Sequence, residues 1–337
     1  LLYVSPERLL QFGFQQTLRT TEVALFAIDE AHCVSHWGHD FRHDYRALGQ
    51  IKARFPDIPV IGLTATADIA TQSDILTQLQ LNDPLVYKGS FDRPNIRYRV
   101  MSKYKAFEQV VTYVKQQEGS GIIYCNSRAK VDDLHAKLFK QGFRCAAYHA
   151  GMDADERELV QRQFLNDKID IVVATVAFGM GINKSNVRYV VHHDVPRSVE
   201  SYYQETGRAG RDGGEGHCLA YYAYKDIEKL EKFMSGKPVA EQEIGHALLQ
   251  EMVSYAETSI SRRKFILHYF GEQFDNKTGE GGMLDDNMRN PKPQFEAKLD
   301  VLNILKIINE TKEIYKSKDL VDILVGKENA LIKSHSI

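Results

Sequence analysis

Two adjacent carboxylates, Asp29 and Glu30, close an apolar run, Val23-Ala-Leu-Phe-Ala-Ile28, and His32 follows two positions later. Parallel α/β sheets hold their ligands at the C-terminal ends of such buried strands. In nucleotide hydrolases a strand-end Asp holds Mg2+ through water, and a following Glu can orient the attacking water. A second group with chemistry in it is Gln204-Glu-Thr-Gly-Arg-Ala-Gly-Arg211. Arg208 and Arg211 are three apart, so on a helix they would share a face. Gly207 and Gly210 weaken that helix but let another surface approach. Planar, permanently charged guanidiniums there suit phosphate; the plainer alternative is a solvated basic turn. An arginine that reaches a γ-phosphate across a cleft is an arginine finger.

Five further groups invite a reading. Thr64-Ala-Thr66 ends another apolar run, and reads either as a hydroxyl cap or as a hinge sensing Asp29, Glu30 and His32. The loop His36-Trp-Gly-His-Asp-Phe-Arg42 carries the only tryptophan. Its His36, Trp37, His39, Phe41 and Arg42 lie in a polar, glycine-containing stretch that does not read as core, and aromatics beside arginine form stacking platforms for single-stranded bases. Asn126, Ser127 and Arg128 follow one strand-like run, and Thr175 follows another that opens into Phe178-Gly-Met-Gly-Ile-Asn183. Donors at strand ends suit phosphate oxygens. The basic pair Arg262-Arg263 is a last candidate for phosphate contact.

The elements that must position these residues alternate. Strand patterns at 1–4, 23–28 and 59–63 interleave with helical patterns at 45–55 and 68–79, the latter with Asp68 as N-cap. Phe91-Asp-Arg-Pro-Asn95 reads as a linker, because Pro94 keeps its neighbour out of helix. A second alternating run follows, with strands at 122–125, 144–148, 169–174, 188–192 and 218–222 and helices at 128–141, 153–164 and from 199. Such alternation argues for βαβ units and parallel sheets. The pattern turns helical at 226–234, 241–258 and 261–269, gives way to a polar loop at 271–293, and returns at 295–311 and 317–324.

Bulk properties set limits. The 337 residues carry 43 Lys and Arg against 45 Asp and Glu, a net charge of -2. That balance neither requires nor excludes nucleic acid. No apolar run approaches the roughly 18 residues of a membrane span, and the start does not read as a signal peptide. The four cysteines, Cys33, Cys125, Cys145 and Cys218, lie far apart with no CxxC pair, the usage of reduced thiols in a cytosolic protein. The chain starts at Leu1 without a methionine and stops at Ile337 just after a helical pattern, so it reads as a piece of a longer protein.

Taken in order, Leu2-Tyr-Val-Ser-Pro-Glu-Arg8, Asp29-Glu-Ala-His32, Trp37-Gly-His-Asp-Phe-Arg42, Leu63-Thr-Ala-Thr-Ala67, Ile123-Tyr-Cys-Asn-Ser-Arg128, Ala174-Thr-Val-Ala-Phe-Gly-Met-Gly-Ile182 and Gln204-Glu-Thr-Gly-Arg-Ala-Gly-Arg211 resemble the RecQ family of superfamily-two DNA helicases, of bacterial type. The resemblance covers about residues 1–272 and continues faintly to the end. It implies an α/β fold of two RecA-like parallel-sheet domains, the first incomplete, over 1–90 and 91–224. A helical subdomain would follow over 225–290 and the truncated start of a winged helix over 291–337. The implied activity is ATP-driven 3′-to-5′ DNA unwinding in recombination and repair, with ATP and Mg2+ as cofactors and single-stranded or partly duplex DNA as substrate. By the same resemblance Asp29 and Glu30 serve Mg2+ and the hydrolytic water, with Asp29 the Mg2+ residue; Arg208 and Arg211 reach the phosphates from the second domain, with Gln204 nearby, and His32 belongs to the same catalytic set. His36, Trp37, Phe41 and Arg42 contact DNA, with Asn126, Ser127, Arg128, Thr175, Arg262 and Arg263. Thr64 and Thr66 couple the two sites. The family also offers a single-strand-binding protein or a topoisomerase as partners, and a cytoplasmic, nucleoid-associated location.

Two departures qualify this reading. The family's phosphate-binding loop, Gly-x-Gly-Lys-Ser/Thr, should precede Leu1, so this stretch alone is expected not to turn over ATP. The family's helical region is tied by four zinc cysteines. Ser261 stands where the first is expected, and Gly279-Glu-Gly-Gly-Met-Leu-Asp-Asp-Asn287 contains none. Zinc sites need their ligands, so no zinc is expected. Two other readings remain: an RNA helicase of the same superfamily, against which the aromatic loop argues, and a binding module that has lost its phosphate loop.

Overall fold

The computed structural model describes residues 1–35, 42–179, 182–236, 238–293, 295–312 and 317–327. They form two compact units, 1–291 and 292–337. The first unit holds two α/β lobes and a helical region.

In the first lobe, strands β1 (Phe26–Ile28) and β2 (Val60–Gly62) pair in parallel, with Ile28 opposite Gly62. Around them Leu18, Val34, Ile51, Phe55, Ile75 and Leu79 make the core. The helix Ile69–Gln78 begins as its sequence dictates, the Asp68 carboxylate accepting from the Thr71 N–H at 2.7 Å. The strand expected at 1–4 does not form. A strand needs a neighbour for its ladder, and Leu1, Leu2 and Tyr3 instead lie exposed.

The second lobe is a six-stranded parallel sheet of β3 (Ile96–Ser102), β4 (Ser120–Tyr124), β5 (Cys145–Tyr148), β6 (Ile171–Ala174), β7 (Val187–His192) and β8 (Gly216–Tyr222), in the order β3-β8-β7-β4-β6-β5. Its central strands are covered on both faces, so they read as unbroken apolar runs. Ile122 and Tyr124 face one core and Ile123 and Cys125 the other, the alternation of a strand. The strand β3 and the helix Ala106–Val114 were not anticipated. No disulfide joins any of the cysteines.

The helices Tyr224–Met234, Val239–Glu257 and Arg262–Tyr269 follow. They pack on the second lobe and the linker through rings: Tyr255 lies 4.8 Å from Tyr202, and Phe270 stacks on Phe91 at 4.4 Å. The polar stretch 271–293 is mostly loop but contains one turn of helix, Asp286–Arg289. In the second unit the helices are Lys298–Glu310 and Ser317–Leu324. No helix among the described residues is long and apolar enough to cross a membrane.

Candidate active site

Between the lobes runs a cleft of about 840 Å³. Glu30, His32 and Thr66 line it from the first lobe, and Gln204, Glu205, Arg208 and Arg211 from the second.

The first wall is set by the ends of two strands. Leu63 N–H donates to Ile28 O and Ala31 N–H to Leu63 O, both at 2.8 Å. This lock brings Thr64 beside His32, 32 positions earlier in the chain. Glu30 takes the left-handed backbone conformation at φ 50°, costly for a residue with a Cβ and concentrated at functional sites. Its N–H is held by Asp29 Oδ1 at 2.9 Å. Asp29 itself is exposed rather than lining the cleft.

From Glu30 a continuous chain of contacts crosses to the other lobe. Glu30 Oε2 lies 3.4 Å from His32 Nδ1, which lies 2.9 Å from Thr64 Oγ1. The Thr64 hydroxyl donates to Thr66 O at 3.0 Å. With its one proton so placed it accepts from His32, which fixes the proton on His32 Nδ1. Across the cleft, Gln204 Nε2 donates to Thr66 Oγ1 at 2.9 Å. Thus Glu30, His32, Thr64, Thr66 and Gln204, singled out separately in the sequence, form one string.

The second wall hangs on the helix Val199–Thr206, whose Ser198 cap accepts from Ser201 N–H at 3.1 Å. Glu205 pairs with His192 on β7, Oε2 to Nε2 at 2.6 Å, while its neighbour Gln204 reaches across the cleft. The helix stops at Thr206, so Arg208 and Arg211 sit in the following turn and not on a helical face. Gly207 ends the helix where the three-residue spacing had implied its continuation. Arg208 Nη1 donates to Gly179 O at 2.6 Å and Arg211 Nη1 to Ile182 O at 3.3 Å. Among the described residues neither has a carboxylate within ion-pair reach, and Arg208 Nε is buried without a partner. Burial, then the charges of Arg208 and Arg93, push the Arg211 pKa down. Guanidiniums crowded in this way without a counter-ion favour an anion.

Of the residues expected at DNA, His36, Trp37 and Phe41 lie outside the described residues. Arg42 lines the cleft, its guanidinium 6.0 Å from the Tyr45 ring centre. Thr175 and Asn126 line it too. The Asn126 amide is held by Val195 O at 2.9 Å. Ser127 caps the helix Arg128–Lys140, accepting from Lys130 N–H at 3.3 Å, and Arg128 is exposed. Arg262 and Arg263 require a correction. They are only 3% and 2% exposed. Arg262 pairs with Asp286 at 2.5 Å, and Arg263 pairs with Asp92 and donates to Ile96 O at 2.7 Å. Their charges are neutralised inside the protein, so they hold the helical region to β3 and the linker and do not present themselves to phosphate.

The donor set also decides how a zinc ion would fit this region. Ser261, 1% exposed, donates to Asp285 Oδ2 at 2.7 Å. Asp285 also accepts from Arg262 N–H at 3.1 Å and Met288 N–H at 3.0 Å. Asn287 Nδ2 donates to Thr258 O and Ile260 O at 2.8 Å each. These side chains are already partnered and include no thiolate, so a Cys-type zinc site does not fit them. Elsewhere, ligand atoms of Cys125, His193 and Asp194 lie within 4.8 Å of one another. Asp194 Oδ1, however, already accepts from Lys103 at 2.5 Å and Lys130 at 2.6 Å, and two ammonium groups oppose a metal cation there.

Comparison with known proteins agrees with these motifs. The DEAD/DEAH box helicase family matches residues 1–75, the helicase conserved C-terminal domain 102–213, and the RecQ zinc-binding family 224–282. The ATP-dependent DNA helicase RecQ of Pasteurella multocida is 46% identical over 99% of this chain and 53% of its own length. The Haemophilus influenzae RecQ is 46% identical over 98% and 53%. The chain therefore spans about half the length of the curated relatives it matches. Among solved structures, S. cerevisiae Dbp5 bound to RNA and ADP BeF3 superposes with a TM-score of 0.54 at 18% identity, over 70% of this chain and 66% of that one, a likeness of fold alone.

Proposed function

We infer the function from one premise: the chain belongs to the RecQ helicase family. Joined to a phosphate-binding loop of the kind such helicases carry, it acts as an ATP-dependent 3′-to-5′ DNA helicase in recombination and repair. The observation that carries this reading is the string from Glu30 through His32, Thr64 and Thr66 to Gln204. It ties the hydrolytic carboxylate of one lobe to the helix that positions the arginines of the other. Opening the cleft breaks the Gln204–Thr66 bond and closing it restores the bond, so cleft geometry and the state of Glu30 are coupled.

In this reading Asp29 and Glu30 serve Mg2+ and the attacking water, while Arg208 and Arg211 meet the negative charge of the phosphates. When bound, ATP supplies the free energy for lobe movement. The chain's own residues orient water, hold charge and exclude solvent. Arg42, Asn126, Ser127, Arg128 and Thr175, with His36, Trp37 and Phe41, contact single-stranded DNA. Domain limits near 90, 224 and 290 divide the labour between the lobes and the helical region. The exposed Leu25, Ile61 and Leu63 of the first lobe support a further segment covering it, and the isolated 337-residue chain does not turn over ATP. Zinc is not required, because the Asp285–Asn287 stretch replaces it. The work is cytoplasmic, at the nucleoid, with a single-strand-binding protein or topoisomerase as partners.

Strand separation by the full-length protein tests this. A DNA duplex with a 3′ single-stranded tail is unwound with ATP, while a 5′-tailed one and an RNA duplex are not. Preference for RNA would favour the RNA-helicase alternative, and no unwinding with intact DNA binding would favour the binding module.

A further inference from the structure

The turn that carries Arg208 and Arg211 touches β7 at one point, Gly210 N–H donating to Val187 O at 2.8 Å, and the linker holds it on the other side. Arg93, from the linker, sends Nη1 to Gly207 O at 3.0 Å and Nη2 to Ala209 O at 3.0 Å and Gly210 O at 3.2 Å. Asn95 Nδ2 completes the seal on Gly210 O at 2.8 Å and Gly214 O at 2.6 Å. Gly210 sits at φ +58°, where a Cβ would meet Gly214 O at 2.3 Å and Asn95 Nδ2 at 2.4 Å. The turn is thus closed against the linker with no room to spare.

Arg93 is itself fixed from behind. Its neighbour Asp92 pairs with the buried Arg263, and Phe91 stacks on Phe270 while its carbonyl accepts from Tyr203 Oη at 2.9 Å. We propose that Arg93 is a positioning residue for Arg208: its planar fork bridges three carbonyls of the turn and so sets where the Arg208 guanidinium points. A lysine has the charge but a single donor point, and cannot span those carbonyls. Without the fork, the carbonyl of buried Ala209 loses its donor, Gly207 O keeps Arg211 Nε, and Gly210 O keeps Asn95 Nδ2 and Gly213 N–H; a buried acceptor left unpaired is costly, and the turn reorganises.

The proposal rests on Arg208 acting as an arginine finger, and its test separates the two ideas. DNA-stimulated ATP turnover is measured in the full-length protein for Arg93→Met, Arg93→Lys, Arg208→Ala and the two Arg93 changes combined with Arg208→Ala. Arg93→Met lowers kcat by about tenfold or more while KM for ATP stays within about threefold, the pattern of an interaction that matters in the transition state. Arg93→Lys falls between. Because Arg93 acts through Arg208, adding either Arg93 change to Arg208→Ala lowers kcat by less than about twofold more, a non-additive cycle. If Arg93→Met does not fold, the Arg93→Lys cycle carries the same test. A slow Arg208→Ala with losses that multiply in the double variant overturns the proposal alone, since Arg93 then acts independently. So does a rise in KM with kcat unchanged. An Arg208→Ala variant with undiminished turnover overturns the finger reading, and the proposal with it.

Discussion

Replacing Asp286 by alanine tests whether carboxylates do here what a metal does in zinc-bound relatives of the fold. Asp286 takes the Arg262 Nε at 2.5 Å on one oxygen and the Val100 N–H at 2.9 Å on the other, so it joins the helical region to β3. Burial opposes the charge of Arg262, but Tyr255 and Asp286 more than offset it and hold its pKa above the ordinary value. Asp286→Ala leaves that guanidinium, 3% exposed, with only the carbonyls of Tyr255 and Ala256. Breaking a buried ion pair from one side costs about 3–5 kcal/mol. The Asp286 side chain keeps 20% of its exposure, so the lower end, about 3 kcal/mol, is expected. With a urea slope of about 3 kcal/mol/M, the unfolding midpoint falls by about 1 M. Asp286→Asn keeps an acceptor for Val100 N–H and loses less. The assay is urea unfolding followed by far-UV circular dichroism, with and without a chelator. The expected result is a wild-type midpoint that does not move with chelator or added zinc, and an elemental analysis without stoichiometric zinc. A shift below about 0.3 M for Asp286→Ala, or a wild-type midpoint that drops on chelation, refutes the reasoning.

Three other outcomes follow from the same contacts. Gln204→Ala removes the one cleft-crossing hydrogen bond described above. It is expected to slow DNA-stimulated ATP turnover of the full-length protein by about tenfold while DNA affinity at equilibrium stays unchanged, read by fluorescence anisotropy. Gly210→Ala places a Cβ into Gly214 O at a left-handed φ and lowers stability by about 2 kcal/mol or more, measurable by the same urea assay. Burial opposes ionisation of Asp194, but His193 and Lys103 outweigh it and hold its carboxyl far below the ordinary 3.8, and Asp226 is also lowered by Lys103 against burial. With folded pKa values depressed, their stabilisation is complete above the ordinary carboxyl value and is lost as pH falls through and below it. The urea midpoint therefore drops between about pH 5 and about pH 3, and Asp194→Asn flattens that slope.

Much of the second lobe was legible because buried parallel strands have to be apolar on both faces, as Ile122 to Tyr124 and Ile171 to Ala174 are. The edge strand β3 was not. Its Arg97 and Arg99 interrupt the apolar signal, and it follows Pro94, so the stretch passed for linker. Leu1 to Val4 failed for the opposite reason: the residues suit a strand, but a strand exists only with a partner. At the site, Glu30, His32, Thr64, Thr66 and Gln204 could be named from local motifs, whereas their connection spans up to 138 positions and needs the fold. Arg262 and Arg263 look exposed in sequence, since nothing local reveals Asp92 and Asp286 as their counter-charges. Arg93 was missed because its acceptors are backbone carbonyls more than a hundred positions away, and a carbonyl leaves no mark on the sequence.

The decisive measurement is steady-state ATP hydrolysis by the full-length protein, with and without 3′-tailed single-stranded DNA, for wild type and Glu30→Gln. DNA should raise wild-type turnover, and Glu30→Gln should lower it by about a hundredfold or more while nucleotide still binds. Hydrolysis that ignores DNA, or that survives Glu30→Gln, would contradict the helicase reading.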